Sequence, residues 1–120
     1  MAISDGYVVA TDPDTGQLVI YDFTSQQTNR SSCHLLGLQF GPDSNLLGVC
    51  ISKLQKYKID NGQLVELWTC NDIKGGESLC TDSYGLIYVV ARSLKQIYVI
   101  SSQGELLQTL SHAKLPSEYT

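Results

Sequence analysis

With 120 residues and 42% hydrophobic side chains, the chain is long enough for one modest core and too apolar for a disordered segment. A formal net charge of −4 argues against bulk, non-specific nucleic-acid binding, which rests on many phosphate contacts. No apolar run approaches a membrane-spanning helix, and the segment Met1–Gly6 has neither the basic nor the apolar stretch of a secretory signal. A cytoplasmic chain, or an excerpt of a larger one, is expected.

Apolar residues alternate in short runs separated by turns, and no segment carries an apolar stripe of period 3.6. The reading is all-β. In chain order, a Ser4-Asp5-Gly6 turn precedes strands over Tyr7–Thr11 and Leu18–Asp22, and Gln26–Ser31 is a polar outer strand. Asp12-Pro13-Asp14-Thr15-Gly16 looks like the start of a calcium loop but lacks the later acids and the closing glutamate, so a hairpin turn is expected. A second unit runs through Leu38–Phe40, a Gly41–Asn45 turn, Leu46–Ile51, Gln55–Ile59, an Asp60-Asn61-Gly62 turn and Leu64–Thr69. A third runs through Ser78–Thr81, an Asp82–Gly85 turn, Leu86–Ala91, Gln96–Ser101, a turn at Gly104 and Leu106–Leu110. The turn glycines supply the positive φ that tight hairpins need.

These units are self-similar at a period of about 40 residues, the signature of repeat architectures. Asp43-Ser44 answers Asp82-Ser83, Leu46-Leu47 answers Leu86-Ile87, and Gly62 answers Gly104. Repeats of four antiparallel strands are the blades of a β-propeller. The chain divides into blade 1 (about 1–33), blade 2 (about 34–72) and blade 3 (about 73–114) of one three-blade unit. Blade 1 begins late, so its innermost strand is expected from Met1-Ala2-Ile3 completed by the tail 115–120, the termini sharing one blade. Propellers close with four to eight blades, so three leave two strand edges open. A homodimer of half-rings making six blades is expected, with an excerpt of a longer propeller as the alternative.

The third unit carries a family resemblance. Cys80-Thr81-Asp82-Ser83-Tyr84-Gly85-Leu86-Ile87-Tyr88-Val89-Val90-Ala91, then Gln96-Ile97-Tyr98-Val99-Ile100 and the Gly104 turn, resembles an NHL repeat. Leu115-Pro116 is similar to the proline that opens the next repeat. Two departures stand out. Arg92-Ser93-Leu94-Lys95 and Ser52-Lys53 replace the family's Asp-x-x-Asn-x-Arg, and Gly48 and Cys50 stand where Tyr and Val are typical. The resemblance implies a recognition scaffold, binding protein partners or RNA, often beside a ligase module whose cysteine pattern this chain lacks. The YWTD and gluconolactonase-like six-bladed propellers share the blade pattern.

In a propeller, the loops between second and third strands and those between blades lie on one face. That sorting places Arg30, Lys53, Lys74, Arg92, Lys95 and Lys114 together as a candidate ligand-binding face, diluted by Asp12, Asp14 and Asp72. Asp5, Asp43, Asp60, Asp82 and Glu105 fall on the opposite face, where turns favour aspartate for backbone reasons.

Four cysteines show no C-x-x-C pair, so no zinc site is expected, and Cys50 and Cys80 are expected buried and reduced within apolar strands. The two histidines form no nucleophile–base arrangement, and no cofactor is implied. Trp68 is expected between blades, and Tyr88 is expected to pair with Tyr98 across neighbouring strands. The expectation is a non-catalytic scaffold, a propeller binding a protein or other ligand through its loops. The alternatives are an RNA-binding propeller using the basic face and a metal-dependent hydrolase with Asp12, Asp14, Asp72 and Asn71 converging on the axis.

Overall fold

The computed structural model describes residues 2–4, 6–31 and 35–111. Twelve strands follow one another: β1 (Ala2–Ser4), β2 (Tyr7–Thr11), β3 (Leu18–Asp22), β4 (Gln27–Ser31), β5 (Gly37–Phe40), β6 (Leu46–Cys50), β7 (Lys53–Asp60), β8 (Gln63–Cys70), β9 (Ser78–Thr81), β10 (Ile87–Ala91), β11 (Gln96–Ile100) and β12 (Leu106–Ser111). A 3-10 turn, Arg92–Leu94, joins β10 to β11. The strands form three four-stranded antiparallel sheets in simple meander order, β1–β4, β5–β8 and β9–β12, the blades that the repeat implied. Among the described residues no helix is long and apolar enough to cross a membrane.

The first strands stand side by side, β1 against β5 and β5 against β9, as innermost strands do around a propeller axis. Blade 1 draws its innermost strand from Ala2–Ser4, paired with β2 as Ala2↔Val9 and Ile3↔Val8. The contribution expected from 115–120 lies outside the described residues, as do Cys33, His34 and His112.

The period-two alternation sorts each blade's side chains onto two faces, and two cores result. Between blades 1 and 2, Val9, Leu18 and Ile20 meet Leu35, Leu46 and Tyr57. Between blades 2 and 3, Leu47, Val49, Leu54 and Cys70 meet Ile87, Val89, Ala91, Tyr98 and Ile100. Gly48 is explained by this packing. A Cβ there would collide with the Leu35 side chain, which fills the room that a larger residue would occupy. The buried Gln55 is fully engaged: its amide donates to Glu66 Oε1 (2.7 Å), and its oxygen accepts from the Tyr57 hydroxyl (2.6 Å).

Three expectations are corrected. Tyr88 and Tyr98 do not pair. The register sets Tyr88 opposite Val99 and Tyr98 opposite Val89, so the two rings stand on opposite faces of blade 3. Cys80 is exposed rather than buried, because it stands opposite Tyr88 on the face that no further blade covers. Cys50 is half-buried, and Cys50, Cys70 and Cys80 are all free thiols. Finally, blades pack face to face, so what lies at the outer side of blades 1 and 3 is a sheet face rather than a strand edge, and on that of blade 3 Ile97 and Val99 are each only 9% exposed.

Candidate functional site: the loop surface at the seam of blades 2 and 3

The β2–β3, β6–β7 and β10–β11 connections share one side with the loops between blades, while the remaining hairpin turns lie on the other side. On the first side, three connections are tied together at the seam of blades 2 and 3. The Gly76 N–H donates to the Ile51 carbonyl (3.3 Å), joining the interblade loop to the β6–β7 turn. Gly75 sits against Leu94 and Ser93 of the 3-10 turn. The buried Tyr98 hydroxyl accepts from the Lys74 N–H and reaches the Lys74 carbonyl, both at 3.2 Å, so Lys74 is fixed at its backbone by the core of blade 3.

This arrangement brings Lys53, Lys74, Arg92 and Lys95 into one loop cluster, with Lys74, Arg92 and Lys95 exposed. Lys95 holds the left-handed conformation (φ 55°) that ends the 3-10 turn, its N–H bonded to the Arg92 carbonyl. Arg30 does not join them. It lies on the outer strand of blade 1 and pairs with Asp12 at 2.9 Å. Lys114 lies outside the described residues.

The acids of this side are partly committed. The Arg30 hydrogen bond holds the Asp12 carboxyl below its ordinary range, helped by the Asp14 backbone N–H. Glu77, which the charge sorting overlooked, stands 3.7 Å from Arg92. Among the described residues no ion pair engages Lys53, Lys74 or Lys95. The Asp12–Gly16 segment is a hairpin turn, closed by Gly16 N–H to the Asp12 carbonyl (2.8 Å) and Asp12 N–H to the Gln17 carbonyl (2.8 Å). Among the described residues no three His, Cys, Asp or Glu side chains gather, so Asp12, Asp14 and Asp72 do not converge on an axial metal.

On the opposite side the aspartates are turn-formers. Asp43 accepts from the Asn45 N–H (3.1 Å), and Asp82 accepts from the N–H groups of Tyr84 and Leu86 (2.9 and 3.0 Å). The segregation of charge thus follows from backbone chemistry on the acidic side. This side also holds a feature invisible in the charge pattern. Lys56, on the face of β7 between Leu47 and Trp68, is 11% exposed and ion-paired to Asp43 at 2.5 Å. The pair lines a groove of about 220 Å³ between blades 2 and 3, with Thr81, Tyr84 and Ser102 on its far wall. That volume falls short of the roughly 300–1,000 Å³ of sites that enclose drug-sized molecules. The only sequence signal for it was a lysine in phase with the apolar face of β7.

No family model matches the chain, and no curated protein matches it. Solved structures do. A protein of unknown function from Bacteroides caccae is 13% identical with a TM-score of 0.55, over 91% of this chain and 47% of that one. A functionally unknown protein from Desulfotomaculum acetoxidans is 15% identical with a TM-score of 0.62, over 88% of this chain and 38% of that one. KlHsv2 with loop 6CD replaced by a Gly-Ser linker is 9% identical with a TM-score of 0.49, over 64% of this chain and 26% of that one. The chain therefore spans less than half the length of each, and the likeness to the first two is one of fold, an all-β array of propeller-like blades.

Proposed function

We propose that this chain is a non-catalytic recognition scaffold whose loop surface at the seam of blades 2 and 3 binds an acidic protein segment. One observation carries the reading: Lys74, Lys95 and Lys53, the first residue of β7, lie on segments that the Gly76–Ile51 and Gly75–Leu94 contacts tie together, and among the described residues no ion pair engages them, Asp72 being the acid that shares the loop of Lys74. Backbone ties through Tyr98 and Gly76 pre-order the loops, which lowers the entropy lost on binding. The NHL-type motif of 80–91 is in keeping with such a role, and a propeller of that type is the finer assignment we attach to it.

A protein partner is favoured over RNA because the cluster offers no stacking platform. Among the described residues Tyr98 is buried and hydrogen-bonded beneath the loops, whereas Tyr84, 89% exposed, belongs to the β9–β10 turn on the other side. The test is fluorescence anisotropy with a glutamate-rich peptide and a single-stranded RNA of equal charge, each at two salt concentrations. We expect the peptide to bind, weakening as salt rises. Lys74→Glu and Lys95→Glu should each weaken it by roughly three- to tenfold. Preference for the RNA, or loss of neither ligand on charge reversal, overturns the reading.

A further inference from the structure

Lys56 is a departure from the repeat. Register equates the third strands of blades 2 and 3: Lys56 stands opposite Leu47 as Val99 stands opposite Tyr88, and in both blades the pairing with the fourth strand slips just after that residue. Blade 2 thus places an ammonium where blade 3 places a valine, and encloses it almost completely. Burying a charge is costly unless it is paired and hydrogen-bonded. An ammonium carries three donors, and Asp43 at 2.5 Å is the one acceptor that meets it among the described residues. Asp43 has capacity to spare as well. Its Oδ2 takes Lys56 and the Asn45 side-chain amide (3.2 Å), whereas its Oδ1 takes the Asn45 backbone N–H (3.1 Å) and keeps a lone pair. Both residues line the groove between blades 2 and 3, so their unused donors and acceptor share one opening. Across it, the Thr81 hydroxyl accepts from the Gln39 amide (3.3 Å) and has its own hydrogen to give.

We infer that this groove is a binding site for a neutral polyol ring, a single monosaccharide unit. Charge decides the first part. Lys56 and Asp43 cancel each other, and the turns of that side add Asp60, Asp82 and Glu105. An anion would be repelled by these acids, and a cation would meet the buried ammonium. What fits is an uncharged ligand that both gives and takes hydrogen bonds at one place. A vicinal diol does so: its oxygens accept from Lys56, one of its hydrogens goes to Asp43 Oδ1, and Thr81 donates to a further ring substituent. A simple amide keeps donor and acceptor on different atoms and leaves Thr81 unmet. Apolar surface decides the second part. Leu47 and Ile87 line the groove together with Pro42 and Tyr84, a setting for the C–H face of a sugar ring. Tyr84 stands out at the rim, its N–H held by Asp82 Oδ1 at 2.9 Å. The volume of about 220 Å³, too small for a drug-sized molecule, suits one such ring. This site is on the side opposite the cationic loops and stands independently of the acidic-segment reading.

The test is a titration of the isotope-labelled chain, followed by its amide resonances, with the methyl glycosides of glucose, galactose, mannose and fucose. Sodium acetate and acetamide serve as the charged and the amide probe. At least one glycoside should shift the amides of Asp43, Thr81, Tyr84 and Gly85 saturably. Its dissociation constant should be on the order of 1 mM, since so small a ligand has few atoms to contribute. Being uncharged, it should bind alike at low and high salt. Lys56→Met, which keeps the side-chain volume, should weaken binding about tenfold. Tyr84→Ala changes an exposed turn side chain that no core depends on, and should weaken binding roughly three- to tenfold. Leu107→Gln, at an exposed position of β12, should leave binding unchanged. Shifts at these amides with acetate or acetamide but with none of the glycosides overturn the inference. So do silence from every glycoside, shifts confined to other parts of the chain, a steep loss of affinity with salt, or an affinity that either groove variant leaves unchanged.

Discussion

The indole of Trp68 on β8 lies directly against Gly104 in the β11–β12 turn. A Cβ on that glycine would stand 2.7 Å from both Cδ2 and Cε3 of the ring, and the indole N–H donates to the neighbouring Ser102 carbonyl at 3.1 Å. The outer strand of blade 2 is thereby pinned to the outer hairpin of blade 3. Gly104 also holds φ +89°, which a side chain adopts only under strain. We expect Gly104→Ala to lower stability by about 2–3 kcal/mol, from overpacking and backbone strain together, in urea unfolding. An unchanged midpoint would show that the turn moves away from the ring at little cost.

The Asp43–Lys56 pair is asymmetric, and its two partners should respond differently to removal. Lys56 is nearly enclosed while Asp43 is 45% exposed. Asp43→Asn retains the oxygen that caps the turn but strands a buried cation, and should cost about 1–3 kcal/mol. Lys56→Met removes the buried charge and keeps the side-chain volume, leaving a carboxylate that reaches water. It should change stability by less than about 1 kcal/mol. Equal losses in the two variants would mean that the pair acts through attraction alone.

The same pair gives the acid limb of stability its sign. Burial pushes the Asp43 carboxyl up, but the Lys56 hydrogen bond and the Asn45 backbone N–H outweigh it and hold the carboxyl below the ordinary 3.8. Asp12 is also lowered, through Arg30. A carboxyl whose pKa is depressed by folding stabilises the folded state above its unfolded pKa, and that contribution disappears as pH falls through the folded value. Stability should therefore be flat from neutral pH to near 3.8 and decline below it. In Lys56→Met the decline should be shallower, measured by thermal melts across pH 2–6 as a range of order four units.

Tyr98 links the core to the proposed binding surface. Its hydroxyl touches the backbone of Lys74 and the Gln96 side chain (3.0 Å). Tyr98→Phe should cost about 1 kcal/mol. More tellingly, it should speed amide exchange at Lys74 and weaken peptide binding without altering a charge. Unchanged exchange at that amide would detach the loop's order from the tyrosine.

The strands and turns were legible because alternation and turn glycines report local geometry directly. The third unit, with Asp82, Gly85 and Gly104 at their turns, reads almost without ambiguity. The loop assignments of Lys53, Lys74, Arg92 and Lys95 followed from the meander alone. What escaped is which face meets which neighbour. Tyr88 and Tyr98 look like partners on adjacent strands, yet the hairpin's register puts an odd offset between them and sends them to opposite faces. Cys80 sits in an apolar strand, but its burial depends on a blade beyond the third. The pleat of β7 adds to the difficulty: neighbouring residues point to opposite faces, so a run rich in polar residues hides a buried lysine facing blade 3 and a buried tyrosine facing blade 1. Arg30 was grouped with the other cations by topology, and its partner Asp12, 18 residues away in sequence, removed it.

Among the described residues, blade 2 contributes to both interblade cores, whereas blades 1 and 3 each contribute to one. In an array whose units touch only their neighbours, the opening of any unit is resisted by its junctions as well as by its own hairpins. Amide protons of β6 and β7 should then exchange only through global unfolding, while β4 and β12 exchange through fraying of the ends. Such a gradient means that a lesion in the middle blade disconnects the whole array, whereas one in an outer blade costs only that blade.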